Sequence, residues 1–359
     1  MNRETENRLT RVSNIELLRI VAMLMIVTHH VLLNVSDTYN QMYLQRSCEP
    51  AFYLYNALVI YGVNLFVMIS GYCGIRATLS KGVSLYLKCV LYGLLGVAVW
   101  LLIPNHTFEL GQLKPYIYVL SNNPSWWFIR YYLFLFALSP FINKVFDYCT
   151  RKEVYILTLV LSVISVYFGW IHNDMVNQNG YNLFNFVWLY CIGHCVRISL
   201  PEINSVRFIR HYALLLWFLC VVLTAFAEYR HWAPVVFGYN NPFIVLGTIG
   251  LFLFFRSFDF RSKLVNIIAA STLGVYLIHG HFQIGPLFIN YAAEHCVSAW
   301  QIPFYAIGIF VICSVLSLLI DALSSKGLSY IGAKATNRNT ILVFLLLAVV
   351  YIVYAALHS

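Results

Sequence analysis

The chain has 359 residues, of which 60% are hydrophobic, 17% aromatic and 10% charged; the formal net charge is +9 and the mean hydropathy +0.73. A soluble domain carries about 25% charged residues, so this chain is too apolar to cover a water-facing surface, and lipid must be its main solvent. The positive balance is spread over connecting segments with no basic run, which speaks against a nucleic-acid partner and suits anionic lipid headgroups or a ligand bearing phosphates.

The N-terminal stretch MNRETENRLTRVSN is polar and leads into about 20 apolar residues. It lacks the short apolar core and small-residue cleavage site of a secretory signal, so the segment is expected to persist as a helix. A spanning helix needs about 20 mostly apolar residues. Eleven such segments are expected, near 14–35, 52–74, 82–103, 126–146, 153–172, 183–199, 211–230, 242–258, 266–290, 300–322 and 340–357. Breaks or tilts are expected among the third, fourth and ninth, where Pro140 and Pro286 lie within or near the apolar run. The connections near 36–51, 104–125, 173–182 and 231–241 are short, polar and aromatic, suited to a mouth rather than an external domain. The expected fold is an all-α polytopic membrane protein, one domain over 1–359, with a core of about 14–322 and an added helix near 340–357.

Basic residues give the orientation. With Arg3, Arg8 and Arg11 in the cytoplasm, the inner side also receives Arg76, Lys81, Lys144, Arg151, Lys152, Arg197, Arg207, Arg210, Arg256, Arg261, Lys263, Lys326, Lys334 and Arg338. The outer side keeps Arg46, Lys114, Arg130 and Arg230. The nine cysteines are scattered through apolar runs, and the nearest approach to a cluster, Cys191 and Cys195 with His194, lacks the spacing of a zinc site. No metal is expected. Cys48 and Cys296 fall in outer connections and would pair only if the fold brings them together.

The first segment carries chemistry. Arg19 and His30 are eleven residues apart, three turns plus about 20°, so they share one face with a rise of about 16 Å. His29 points about 80° away from Arg19 and is not expected on that face. Glu16 precedes Arg19 by three residues, within pairing reach. Ionisable groups inside a membrane usually face a cavity or the bundle interior and mark a site. Snorkelling of Arg19 and simple packing of His30 are the plainer readings, and the shared face weakens both. Arginine holds phosphate with a bidentate fork, and histidine is a general base near neutral pH. A phosphate-binding inner end and an outer base fit a long donor such as coenzyme A.

At these residues the chain resembles the acyltransferase-3 family of integral membrane acyltransferases. IELLRIVAMLMIVTHH looks like that family's first helix, with Glu16, Arg19 and His30 on its acid, arginine and histidine positions. NLFVMISGYCGIR (Asn64 to Arg76), SWWFIRYYLFLFALSPFIN (Ser125 to Asn143) and STLGVYLIHG (Ser271 to Gly280) resemble further family segments in the expected order. The resemblance implies transfer of an acyl group, usually acetyl, from cytoplasmic acyl-CoA to a hydroxyl of a cell-surface polysaccharide or lipid-linked glycan, in the inner (plasma) membrane. It implies His30 as base, with Arg19 and Glu16 in support. The family core has ten helices, which makes 340–357 an addition. Cys89 follows Lys88 where a second basic residue is common.

Other candidates join this reading. Arg76, Lys81 and Lys88 suit the phosphates of acetyl-CoA or serve as ordinary inner-side charge; Ser70 and Tyr72 sit beside them, with Gly71 permitting close approach. Asn64 is either an interhelical tether or a substrate contact. Trp127, Arg130 and Tyr131 suit a sugar or an interfacial belt. His279 lies at roughly the depth of His30 and either orients it, contacts the acceptor hydroxyl as a substrate-binding residue, or tethers two helices. A transporter or flippase of a lipid-linked saccharide is the rival reading. It predicts paired broken helices in inverted repeats, and none is evident.

Overall fold

The computed structural model describes residues 13–35, 50–120, 126–200, 206–230, 237–296 and 298–334. Fourteen α-helices and no strand occur among them. They are α1 (Ser13–Val35), α2 (Pro50–Val59), α3 (Gly62–Cys73), α4 (Leu79–Leu101), α5 (Lys114–Ile117), α6 (Trp127–Tyr148), α7 (Arg151–Val163), α8 (Leu183–Ser199), α9 (Val206–Tyr229), α10 (Pro242–Arg256), α11 (Lys263–Ala270), α12 (Thr272–His279), α13 (Gly285–His295) and α14 (Ile302–Lys334). Six helical stretches are long and apolar enough to cross a membrane, and three shorter apolar ones accompany them. The all-α polytopic class expected above is the class observed. The added helix near 340–357 lies outside the described residues, as does Cys48.

Polar residues at the segment ends set the helix limits. Thr150 and Glu153 form a reciprocal capping box at α7. Asn182 caps α8, Asn241 caps α10 ahead of Pro242, and Ser262 caps α11, each accepting from a backbone N–H one to three residues into the helix. Gly74 ends α3 with φ +75°, which a residue with a Cβ adopts only with strain.

The expected break at Pro140 does not occur, and α6 runs through it. Proline cannot donate to the carbonyl four residues back, here Phe136. The Ser139 hydroxyl donates to that carbonyl at 2.8 Å and fills the gap. Nor is α4 broken. The ninth apolar segment is broken twice, into α11, α12 and α13, the second break being the turn at Gly280–Ile284 just before Gly285 and Pro286.

α1 is the central element, packed against α2, α3 and α10 to α14. Around it the crossings are tight. A Cβ on Gly71 of α3 would lie 2.1 Å from the Tyr190 carbonyl oxygen of α8, and one on Gly193 of α8 would lie 2.2 Å from that of Met68. Small residues let the two backbones meet directly, the packing that membrane helices favour.

The connection after α4 departs from the expected outer loop. Over its described part it folds back along α4: the Tyr86 hydroxyl donates to the Ile117 carbonyl, and Tyr116, fully buried, seats its ring on Gly93. Tyr116 also stacks on His281 at 4.3 Å. On the far side, Phe136 of α6 meets Gly82. Trp127 begins α6 nine residues earlier, about 13 Å along the axis, and so lies near the middle of α4 rather than at its outer end.

Candidate active site

α1 brings His30 beside α12. The His279 Nδ1 atom is 2.6 Å from the Val275 carbonyl oxygen, and His279 Nε2 is 3.1 Å from His30 Nδ1. These contacts assign the tautomers. A carbonyl only accepts, so His279 carries its hydrogen on Nδ1 and offers Nε2 as acceptor. His30 therefore donates from Nδ1, and its Nε2 keeps a lone pair with no partner among the described residues. The chain from Val275 through His279 to His30 aims one imidazole and selects its basic nitrogen.

His30 lines a small cavity, shared with Ile26, His29, Val63, Trp127, Tyr239 and Tyr276 among others. His29, expected on another face, lines it too. Its Nδ1 lies 2.7 Å from Asn56 Oδ1, an acceptor, so His29 also turns an unprotonated Nε2 outward from that contact. Asn56 is buried, on α2. His29, Asn56, Tyr239 and Tyr276 are the residues sequence reasoning missed. The adjacent histidines in THH were the available signal.

Trp127 reaches the cavity because α6 starts deep in the bundle. Its ring stacks on Tyr239 at 5.6 Å and meets Tyr181 at 4.6 Å. This aromatic wall is built from three separate segments. Asn64 is fully buried, and its Nδ2 donates to the Tyr239 carbonyl at 2.8 Å, so it holds that wall in place rather than facing the cavity. Tyr131 lies behind Trp127, against Phe186 at 5.9 Å. Half-buried Arg130 sits over the Tyr131 ring at 5.5 Å.

Toward the other end of α1, Arg19 pairs with Glu16 at 2.9 Å. Arg19 is about 16 Å along the helix from His30 and does not line the cavity. The remaining candidates gather at the C-terminal end of α3. Ser70 donates to the Phe66 carbonyl and lies 3.4 Å from the Tyr132 hydroxyl. Tyr72 accepts from Arg256 Nε at 2.8 Å. Exposed Arg76 offers its carbonyl to Lys81 Nζ at 3.3 Å. An Arg197 guanidinium nitrogen is 3.5 Å from the position of a Cβ on Gly74. The loop carrying Arg76 is pinned by the Tyr190 hydroxyl on the Ile75 amide and by Asn143 on the Ile75 carbonyl. Arg197 and Arg256, read from sequence as topological charges, thus join Arg76 and Lys81. Lys88 stands apart: it is bound to Asp321 of α14 at 2.7 Å, and Asp321 also accepts from the Tyr92 hydroxyl. Among the described residues no group of three or more His, Cys, Asp or Glu side chains has the arrangement of a metal site.

A half-buried histidine held by a second histidine at a cavity, with a separate group of arginines, sits in the helix bundle of a polytopic membrane protein. A family model described as an acyltransferase domain matches residues 12–322, and the chain belongs to this acyltransferase-3 family. Comparison with curated proteins and with solved structures finds no match.

Proposed function

We propose that this membrane acyltransferase moves an acetyl group from acetyl-CoA, bound from the cytoplasm, to a hydroxyl of a cell-surface polysaccharide or lipid-linked glycan precursor. The observation that carries the reading is the ordered chain from Val275 through His279 to His30, which leaves one basic nitrogen on a cavity wall. His30 Nε2 takes the proton of the acceptor hydroxyl as that oxygen attacks the thioester carbonyl. The C–S bond then breaks, and the departing thiolate takes the proton back from His30. No net proton is released, so a single base in a site shielded from bulk water suffices.

Arg19, oriented by Glu16, and the cluster of Arg76, Lys81, Arg197 and Arg256 would hold the phosphates, since planar guanidinium groups bind phosphate in pairs of hydrogen bonds. The acyl end would then reach about 16 Å outward along α1 to His30. Trp127 with Tyr239 and Tyr181 offers flat rings to a sugar, with Arg130 and Tyr131 behind them. Family membership favours acyl transfer over transport of a lipid-linked saccharide. The plasma membrane, with the N-terminus inside, is the compartment this reading requires.

The test is acetyl-CoA binding by purified protein, wild type beside Arg19→Ala and His30→Ala. Saturable binding, weakened at least tenfold in Arg19→Ala and unchanged in His30→Ala, is expected. Absence of binding by folded wild-type protein would overturn the proposal.

A further inference from the structure

Two imidazoles line the cavity, and the chemistry described so far uses one of them. His29 is half-buried beside His30, with the two ring centres 6.1 Å apart and the planes tilted by 45°. Asn56 of α2 is 1% exposed, and its Oδ1 lies 2.7 Å from His29 Nδ1. Burying an amide is costly unless it is hydrogen-bonded, and the oxygen of this one is directed to a single ring nitrogen. The hydrogen therefore stays on His29 Nδ1, and Nε2 is an acceptor with no partner among the described residues. His279 imposes the same tautomer on His30 from α12. The side chains of Ile26, Val59, Ile60, Val63 and Phe128 in the lining are hydrocarbon. A hydroxyl entering among them leaves water behind and needs a hydrogen-bond partner. Two neighbouring imidazoles, each fixed as an acceptor by a different helix, supply two.

We infer that His29 determines acceptor specificity: its Nε2 accepts the hydrogen of a second hydroxyl, next to the one acylated, so the acceptor is a sugar with two adjacent free hydroxyls. The inference rests on the acyl-transfer reading above. Adjacent hydroxyl oxygens on one ring lie about a hydrogen-bond length apart. With a hydrogen bond of about 2.8 Å at each end, such a pair spans imidazoles whose centres are 6.1 Å apart. One hydroxyl gives its proton to His30 Nε2 as its oxygen forms the new C–O bond. The C–S bond breaks, and that proton passes to the departing sulfur. The other hydroxyl keeps its proton and its hydrogen bond to His29 throughout, so His29 takes up no proton and forms no covalent bond. It fixes which hydroxyl faces His30, while Trp127 and Tyr239 offer their rings to the sugar. A site that hydrogen-bonds a substrate hydroxyl can reject the analogue without it by about 10⁴–10⁵-fold, and a half-buried imidazole within reach of water is expected to discriminate less, about 10–100-fold.

The test uses two probes with the same ring and the same number of hydroxyls, 1,2-cyclohexanediol and 1,4-cyclohexanediol. Full-length protein in detergent is given acetyl-CoA and one diol, and the monoacetate formed is measured by mass spectrometry. Wild type is expected to acetylate the 1,2-diol with a kcat/KM at least tenfold above that for the 1,4-diol. His29→Ala is expected to bring that ratio below threefold, and His29→Gln, which keeps an acceptor oxygen, to recover part of it. A packing role for His29 would lower both rates together and leave the ratio unchanged. If His29→Ala does not fold, Asn56→Ala decides: it frees the tautomer and should lower the ratio as well. A wild-type ratio near one, a ratio retained in the variant that decides, or no transfer to the 1,2-diol by protein that binds acetyl-CoA overturns the role of His29 alone. No acetyl-CoA binding by wild type overturns this role and the acyl-transfer reading together.

Discussion

His30 is one of two adjacent imidazoles, and only its neighbours distinguish it. His279 fixes which of its nitrogens is basic, whereas His29 is held by an amide from α2. His30→Ala is expected to lower acyl transfer about 10²–10⁴-fold, the usual contribution of a general base, measured as thiol release from acetyl-CoA. His279→Ala should lose most of that rate, and His279→Gln should recover part of it, because a glutamine oxygen can accept from His30 Nδ1. Equal rates in the two variants would show that His279 only fills space. Arg19, Glu16 and His30 were legible because helical geometry places residues three and eleven apart on one face. His29 was not legible for a related reason. Its angle was measured from Arg19, but the cavity opens between His29 and His30, and the position of that opening is set by α2, α3 and α6, not by α1.

At the scale of the element, α6 shows how a local sequence rule is overridden. Pro140 deletes one backbone bond, and the Ser139 hydroxyl replaces it. Ser139→Ala should leave the Phe136 carbonyl without that partner and destabilise the fold by about 1–3 kcal/mol, seen as a lower midpoint in thermal unfolding of the detergent-solubilised protein. The α3–α8 crossing makes a stronger demand. Gly71→Val would force a Cβ into backbone 2.1 Å away, and overpacking of this kind costs about 1–3 kcal/mol or more. A reduced yield of monodisperse protein in size-exclusion chromatography, restored by Gly71→Ala no better than halfway, is the expected result. A wild-type elution profile for Gly71→Val would contradict the crossing. Thr150, Asn182, Asn241 and Ser262 set helix ends by capping, a local hydrogen bond that hydropathy alone did not reveal. The depth at which α6 starts was not visible, because it depends on how the 104–120 segment packs on Gly93 and His281.

For the whole molecule, the distribution of arginine and lysine predicts the orientation in the membrane. Reporters fused in the α6–α7 turn near Cys149 should read cytoplasmic, and those fused near Asn173 should read external. The opposite pattern would invert the molecule and place the arginine cluster at the end of α3 away from cytoplasmic acyl-CoA. The amino-acid sequence by itself determined that this chain is helical and embedded in lipid, because runs of about 20 apolar residues span a bilayer as helices, which satisfy their own backbone polar groups. It also determined that α1 carries an arginine and a histidine on one face, since helical period needs no partner to be read. Tertiary structure alone decided which groups gather at the cavity with His30: His279 lies 249 residues away along the chain, Tyr276 shares its helix, and Trp127 and Tyr239 come from two further segments. Such contacts follow from the close packing of α1 among its neighbours, and no local pattern of residues encodes a distance across a bundle.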